Sequence, residues 1–401
     1  MATATPRLAR RLEHIQPFYV MEVAKAARQV AQTAACDPAQ GGSPMIYLNI
    51  GEPDVGAAPR VLEAAAQVLA RNDTPYTDAT GLPALRQALS AWYAQHFQLD
   101  IDPARIVITA GASGALQLAC LALFDTGDEV LMPDPCYPCN RHFVAAAGAT
   151  ARLLPTTAAQ RFQLDAASVA SAWTAATRGV LLASPSNPTG TSIDPAEMAR
   201  IVEAVRARSG VTVVDEIYLG LSYDTRYATS ALSLGDDIIS VNSFSKYFGM
   251  TGWRLGWLVL PPGLVEAVER LAQNLYICPS TLAQKAALAC FEPESLAEYQ
   301  RRRSELAVRR DLVLRGLHTI GLPVPVEPDG AFYAWADVSQ HAADSWDFCH
   351  QLIHSAHVAL TPGRDFGPAN AQRHLRLSYA TARPLLTEAL ARLQRQLQRA
   401  A

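Results

Sequence analysis

The chain has 401 residues, half of them hydrophobic and 18% charged, which supports a large core and more than one lobe and excludes a disordered chain. With 34 Lys and Arg against 37 Asp and Glu the net charge is −3, so no basic stripe calls for nucleic acid as a partner. The apolar runs are too short or too interrupted for a bilayer, so no membrane is expected either. Met1 to Arg11 lacks the apolar core of a secretory signal. Seven scattered cysteines point to a reduced, cytoplasmic protein. Cys136-x-x-Cys139 encloses Tyr137-Pro138 and has no second pair to complete a zinc site, so no metal is expected.

Residues 12–34 read as a lead-in and an amphipathic helix, and Asp37 to Pro44 as a Pro/Gly/Ser linker. Ile46 to Ile50 is a short strand broken by the Gly51-Glu52-Pro53-Asp54 turn, and helices follow at about 60–71 and 83–96. From Ile106 strand and helix alternate. Strands are expected at 106–109, 129–132, 180–183, 211–214 and 238–241. Ser113 is read as capping a helix to about Phe124, the stretch from Tyr137 to Ala147 as helical, and Asp194 as capping a helix to about Ala207. Near-continuous apolar strands in β-α-β alternation predict an α/β fold, with a mostly parallel sheet covered on both faces. Beyond Pro261 long helices are expected at 264–276, 281–291 and 294–317. Strands near 331–335, 357–360 and 374–379 and a closing helix from Pro384 follow. This divides the chain into an N-terminal segment (1–51) that joins a small domain, a large domain (52–285) and a small C-terminal α+β domain (286–401).

Chemistry concentrates where strands end. Ser243-Phe244-Ser245-Lys246 follows an apolar strand, with Arg254 eight residues after the lysine. Ligands of open α/β sheets sit outside the carboxyl ends of strands, where a lysine amine can meet an aldehyde; a solvated surface lysine is the plainer reading. Ala110 to Gly114 lies between a strand and a helix, as an anion site or an ordinary helix start. Asn187, in Ser184-Pro-Ser-Asn-Pro-Thr-Gly190, fits turn chemistry as well as a ligand contact. Asp215 ends a buried strand and needs a cationic or hydrogen-bonding partner unless it caps a helix; Tyr218 three residues on either reaches the same cleft or packs. Alternation places His374, Arg376 and Ser378 on one strand face, either to bind a carboxylate or as the solvated face of an edge strand.

Ser-Asn-Pro-Thr-Gly, then Asp-Glu-x-Tyr, then Ser-x-Ser-Lys with Arg eight residues later, in that order from about Phe18 to the last helix, resembles the class I/II aminotransferases of the fold-type I pyridoxal-5′-phosphate (PLP) enzymes. The resemblance implies that Lys246 forms a Schiff base with the cofactor and moves the substrate α-proton. It implies that Asp215 pairs with the pyridine nitrogen, that Tyr218 and Asn187 bond its phenolic oxygen, and that Tyr137 stacks on the ring. Ala112, Ser113, Ser243 and Arg254 would take the phosphate, together with Tyr76 from a neighbouring subunit, so the active site would be shared across a homodimer. Arg376 would hold the substrate α-carboxylate, helped by the backbone at Gly51, and Ile15 and Phe18 would belong to a mobile segment closing over substrate. The implied reaction is a ping-pong exchange of the amino group between an L-amino acid and a 2-oxo acid. On the same scaffold, β- or γ-elimination (a carbon–sulfur lyase or cyclopropane-carboxylate synthase) is the alternative. Arg141 and Arg364 are candidates for a distal carboxylate, with Asp365 as a neutralising neighbour of Arg364, and an apolar substrate is equally open. A ligand-sensing domain of a transcription regulator would carry a helix-turn-helix module, and no such pattern stands in the 40 or so residues before Gly51.

Overall fold

The computed structural model describes residues 7–9, 12–13, 15 and 17–400. Most of the Met1–Arg11 stretch, and parts of the lead-in read over 12–34, lie outside them. Among the described residues the strands are β1 (Ile46–Tyr47), β2 (Ile106–Thr109), β3 (Glu129–Asp134), β4 (Thr150–Pro155), β5 (Thr177–Ala183), β6 (Val211–Asp215), β7 (Ile239–Ser243), β8 (Gly256–Val259), β9 (Tyr333–Asp337), β10 (Val358–Ala359), β11 (Thr361–Pro362) and β12 (His374–Ser378). The large sheet runs β2-β8-β7-β6-β5-β3-β4. Its strands are parallel except β8, which is antiparallel to both β2 and β7. The carboxyl ends of β2, β3, β5, β6 and β7 therefore share one edge, which is where an open α/β sheet offers its ligand crevice.

Burial on both faces explains the unbroken apolar runs. Val180, Leu182 and Val214 face one core, while Leu181, Val213, Ile239 and Val241 face the other. The helices Gly111–Leu123 and Pro195–Arg206 cover opposite faces, supplying Leu116 and Ala119 to one core and Met198, Ile201 and Val205 to the other. Buried Glu216 is fully met: it accepts from the hydroxyls of Ser240 (2.6 Å) and Ser230 (2.8 Å) and from the Ala231 amide (2.7 Å).

A three-stranded antiparallel sheet, β11-β12-β9, lies beyond the long helix Pro293–Thr319, and β1 pairs in parallel with β10, bringing an early segment against the late one. The N-terminal helix Tyr19–Ala31 turns Val20, Val23, Ala24, Ala27 and Val30 inward, a 3–4 residue spacing, and packs against Ile353 and Ala359. Its first amides have no local cap, since Phe18 at the cap position offers none. They donate instead to the carboxylate of Asp365, Tyr19 at 3.0 Å and Val20 at 3.1 Å.

Several expectations are corrected. The helix read as capped by Ser113 begins at Gly111, with Ala110 at the cap position and no side-chain cap; Asp194, by contrast, caps its helix through the Ala196 amide at 2.9 Å. Strand β12 is not an edge: it is central in its sheet, and every residue in it is buried. The edge strand β4, the strand β8 and the helix Ser345–Ser355 were not anticipated.

Candidate active site

A cavity of about 540 Å³, a size suited to a cofactor and a small substrate, opens at the carboxyl edge of the large sheet and is walled on its far side by the N-terminal helix. It gathers most of the residues singled out from the sequence: Gly51, Ala112, Ser113, Tyr137, Asn187, Asp215, Tyr218, Ser243, Lys246, Arg254, Arg376 and Phe18 all line it. Ile15 does not line it, and Tyr76 stands 78% exposed on a loop away from it.

Two neighbouring strands supply its central charges. Asp215 ends β6 and Lys246 follows β7, and β6 and β7 pair directly. Burial pushes the Asp215 carboxyl up to about 7, against one opposing hydrogen bond from the Ile217 amide at 3.2 Å. Burial, and then the charge of Arg376, draws the Lys246 ammonium down to about 8. Lys246 Nζ donates to the carbonyl of Gly51 at 2.6 Å.

At one end the helix Gly111–Leu123 points its uncapped N-terminus into the cavity, with Ala112 and Ser113 on the wall. Two glycines make this end accessible. Gly111 has φ +75°, and a Cβ there would sit 2.6 Å from Nη2 of Arg254; a Cβ on Gly256 would sit 2.7 Å from the Ala112 nitrogen. Arg254 Nη1 is braced by the Thr251 carbonyl at 2.9 Å. Free helix amides, the helix dipole, hydroxyls of Ser243 and Ser245 and a guanidinium together form an anion cradle.

At the other end Arg376 is held on three sides. Nη1 donates to Asn187 Oδ1 at 2.8 Å, Nη2 to the Asn49 carbonyl at 2.6 Å, and the guanidinium lies 4.5 Å from the Tyr333 ring centre and 5.0 Å from that of Phe366. Its Nε is buried without a hydrogen-bond partner among the described residues. A fixed, desolvated guanidinium of this kind suits a carboxylate.

Tyr333 was missed in the sequence. Its hydroxyl shares a 2.8 Å hydrogen bond with that of Tyr218, and it abuts Gly51, where a Cβ would clash with it. The two arginines proposed for a distal carboxylate lie elsewhere. Arg141 Nη2 donates to the Asp365 carbonyl at 2.9 Å, and neither Arg141 nor Arg364 lines the cavity. Arg364 is neutralised by Asp344 at 3.0 Å and stacks on Trp346, so its counter-ion is not Asp365, which caps the N-terminal helix.

Comparison with known proteins agrees with this arrangement. The profile of the family "Aminotransferase class I and II" matches residues 43–393. The valine–pyruvate aminotransferase of Mycobacterium tuberculosis is 41% identical over 94% of this chain and 96% of its own length. The aspartate aminotransferase of Thermotoga maritima is 33% identical over 88% of this chain and 91% of its own. Among solved structures, an aminotransferase from Mycobacterium tuberculosis superposes with a TM-score of 0.93 at 40% identity, covering 98% of this chain and all of that one. The aspartate aminotransferase of Thermus thermophilus with maleate gives 0.89 at 32% identity, covering 98% of this chain and all of that one. The family profile spans most of the chain and both relatives are more than 30% identical over nearly all of it, so the chain is an enzyme that belongs to the class I and II aminotransferases.

Proposed function

We propose that this aminotransferase binds PLP in the cavity just described, with Lys246 as its covalent anchor and proton carrier, and works as a homodimer in the cytoplasm. Class I and II aminotransferases are PLP-dependent. The observation that carries the reading is the pairing of a lysine drawn down to about 8 with a buried carboxyl pushed up to about 7 in one cavity. The donor set fits the cofactor part by part. The cradle at Ala112, Ser113, Ser243 and Arg254 matches a phosphate, Tyr137 offers an aromatic face, and Asn187 and Tyr218 offer polar groups to a phenolic oxygen. Asp215, with no side-chain cation at hydrogen-bond distance among the described residues, matches a ring nitrogen that carries a proton. When bound, the cofactor supplies an aldehyde that accepts the amino group and a ring that takes up electrons from the substrate Cα.

The protein's part follows from its own groups. About a tenth of Lys246 is unprotonated at pH 7, given its lowered value, so Nζ could anchor the cofactor and can take or return a proton at the substrate Cα. Asp215, once a cation lies beside it, is favoured as carboxylate and holds that cation's proton in place. Arg376 fixes the substrate α-carboxylate, which orients the Cα–H bond toward Lys246. The N-terminal helix, held by Asp365, brings Phe18, Val20 and Met21 over the cavity and excludes water. The apolar wall suits a donor with an aliphatic side chain, in line with the name of the mycobacterial relative. The division at about residues 51 and 285 is retained as the domain boundary. Tyr76, exposed on its own subunit, is assigned to the partner's phosphate site. The seven free thiols fit a cytoplasmic setting, and among the described residues no helix is long and apolar enough to cross a membrane. Elimination is not favoured, since the relatives compared are aminotransferases.

Incubation with PLP, L-valine and pyruvate tests the reading. Equal amounts of alanine and the oxo acid of valine are expected, and borohydride should fix the cofactor on the peptide containing Lys246. A label on another lysine contradicts the assignment. Asp365→Ala is expected to destabilise the protein by about 0.5–2 kcal/mol, the usual cost of a lost helix cap, and to raise KM more than it lowers kcat. Urea unfolding and steady-state kinetics check both.

A further inference from the structure

Tyr333 stands where three groups of the cavity meet: Tyr218, Gly51 and Arg376. It is the first residue of β9, is fully buried, and lines the cavity together with Tyr218. The two hydroxyls share a 2.8 Å hydrogen bond, and neither has a second partner among the described residues. Their rings cross at 82° with centres 5.6 Å apart, and Phe332 also meets the Tyr218 ring edge-on, at 85° and 5.6 Å. The Tyr333 hydroxyl fills the space beside Gly51, 2.2 Å from where a Cβ there would stand, so it has little room to turn away. The guanidinium of Arg376 lies 4.5 Å from its ring centre. A hydroxyl has one proton to give, so the direction of the shared bond decides what Tyr218 can offer the cavity. Burial pushes both hydroxyls above the usual tyrosine value. At Tyr333 the charge of Arg376 is the first influence against that rise, whereas at Tyr218 the neighbouring Tyr333 adds to it. A positive charge beside a phenol strengthens it as a donor, which makes Tyr333 the giver and Tyr218 the acceptor.

We infer that Tyr333 is a positioning residue: its hydroxyl donates to that of Tyr218 and leaves the Tyr218 proton free for an anionic ligand oxygen in the cavity. The inference rests on the PLP reading, in which that oxygen is the phenolic oxygen of the cofactor. A phenol that accepts one hydrogen bond also donates more strongly, so Tyr333 increases the stabilisation that Tyr218 can give a negative oxygen.

The test is a pH titration of the visible absorption of the PLP-loaded protein. The cofactor linked to Lys246 loses a proton as pH rises, and a donor on its phenolic oxygen favours the form left without that proton. Tyr333→Phe keeps the ring and removes the hydroxyl. Its titration midpoint is expected to rise by about 0.3–1 pH unit, the worth of one neutral hydrogen bond. Tyr218→Phe should raise it by at least as much. In that background Tyr333→Phe should add nothing, because Tyr333 acts through Tyr218. An unchanged midpoint in Tyr333→Phe, or an equal rise in the Tyr218→Phe background, overturns the inference. A lower midpoint also overturns it, since Tyr218 would then be giving its proton to Tyr333 and would be released by the substitution. Any of these failures with a wild-type band that forms and titrates leaves the reading of the cavity in place. If the wild type forms no such band with PLP, that reading fails, and the inference with it.

Discussion

Replacing Lys246 by alanine is expected to lower transamination by about 10⁴-fold or more, because one side chain serves as both nucleophile and proton carrier. Among the described residues no other lysine lines the cavity to take over. The fold should survive: Lys246 is a buried cation drawn down to about 8, so at neutral pH its charge opposes folding of the cofactor-free chain. Removing it leaves the Gly51 carbonyl without its 2.6 Å donor, a smaller loss. Single-turnover kinetics beside a far-ultraviolet circular dichroism spectrum separate the two effects. Wild-type rates in the variant would remove Lys246 from the chemistry.

Asp215→Asn should separate stability from activity. Burial raises the Asp215 carboxyl from an ordinary 3.8 to about 7 in the cofactor-free protein. Between those values the folded chain binds more protons than the unfolded one, so stability falls as pH rises from about 4 to 7. Above pH 7 the asparagine variant carries no buried charge. Its cofactor-free form is expected to be more stable than the wild type by on the order of a few kcal/mol at pH 8, and the difference should vanish below about pH 4. Activity should move the other way, falling by about 10²–10³-fold, because a neutral amide no longer holds a proton on a facing ring nitrogen. Urea denaturation of both proteins at pH 4 and pH 8 checks the first part. Equal stability at both pH values contradicts the account of Asp215.

The strands and the chemistry at their ends could be read in the sequence because both are local. Val180 to Ala183 is apolar on consecutive residues and Val211 to Val214 is interrupted only by Thr212, the near-continuous apolar pattern of a doubly covered parallel strand. Asp215 follows such a run directly, and Asn187 and Lys246 stand in the short polar stretches just after one. What escaped depends on contacts far apart in the chain. Tyr333, the first residue of β9, meets Tyr218 only because β9 pairs with β12 and brings that strand end to the cavity. Asp365 caps a helix some 346 residues away, a relation no window of sequence can display. Arg376 looked half-exposed by alternation, yet β11 and β9 flank its strand and aromatic rings cover its side chain. Strand β8 was hidden because its glycine and tryptophan read as part of the loop after Lys246, although Gly256 is needed there for the close approach to Ala112. The partly buried edge strand β4 lacks the uninterrupted apolar run that marked its neighbours.

The most direct test of the central claim is the visible absorption spectrum of the purified protein with PLP, recorded before and after single L-amino acids are added. A coloured band is expected from the cofactor bound at Lys246, and it should convert to the amino form with valine or another aliphatic donor and return on addition of a 2-oxo acid. A protein that stays colourless with PLP, or a band that no amino acid changes, would contradict the account.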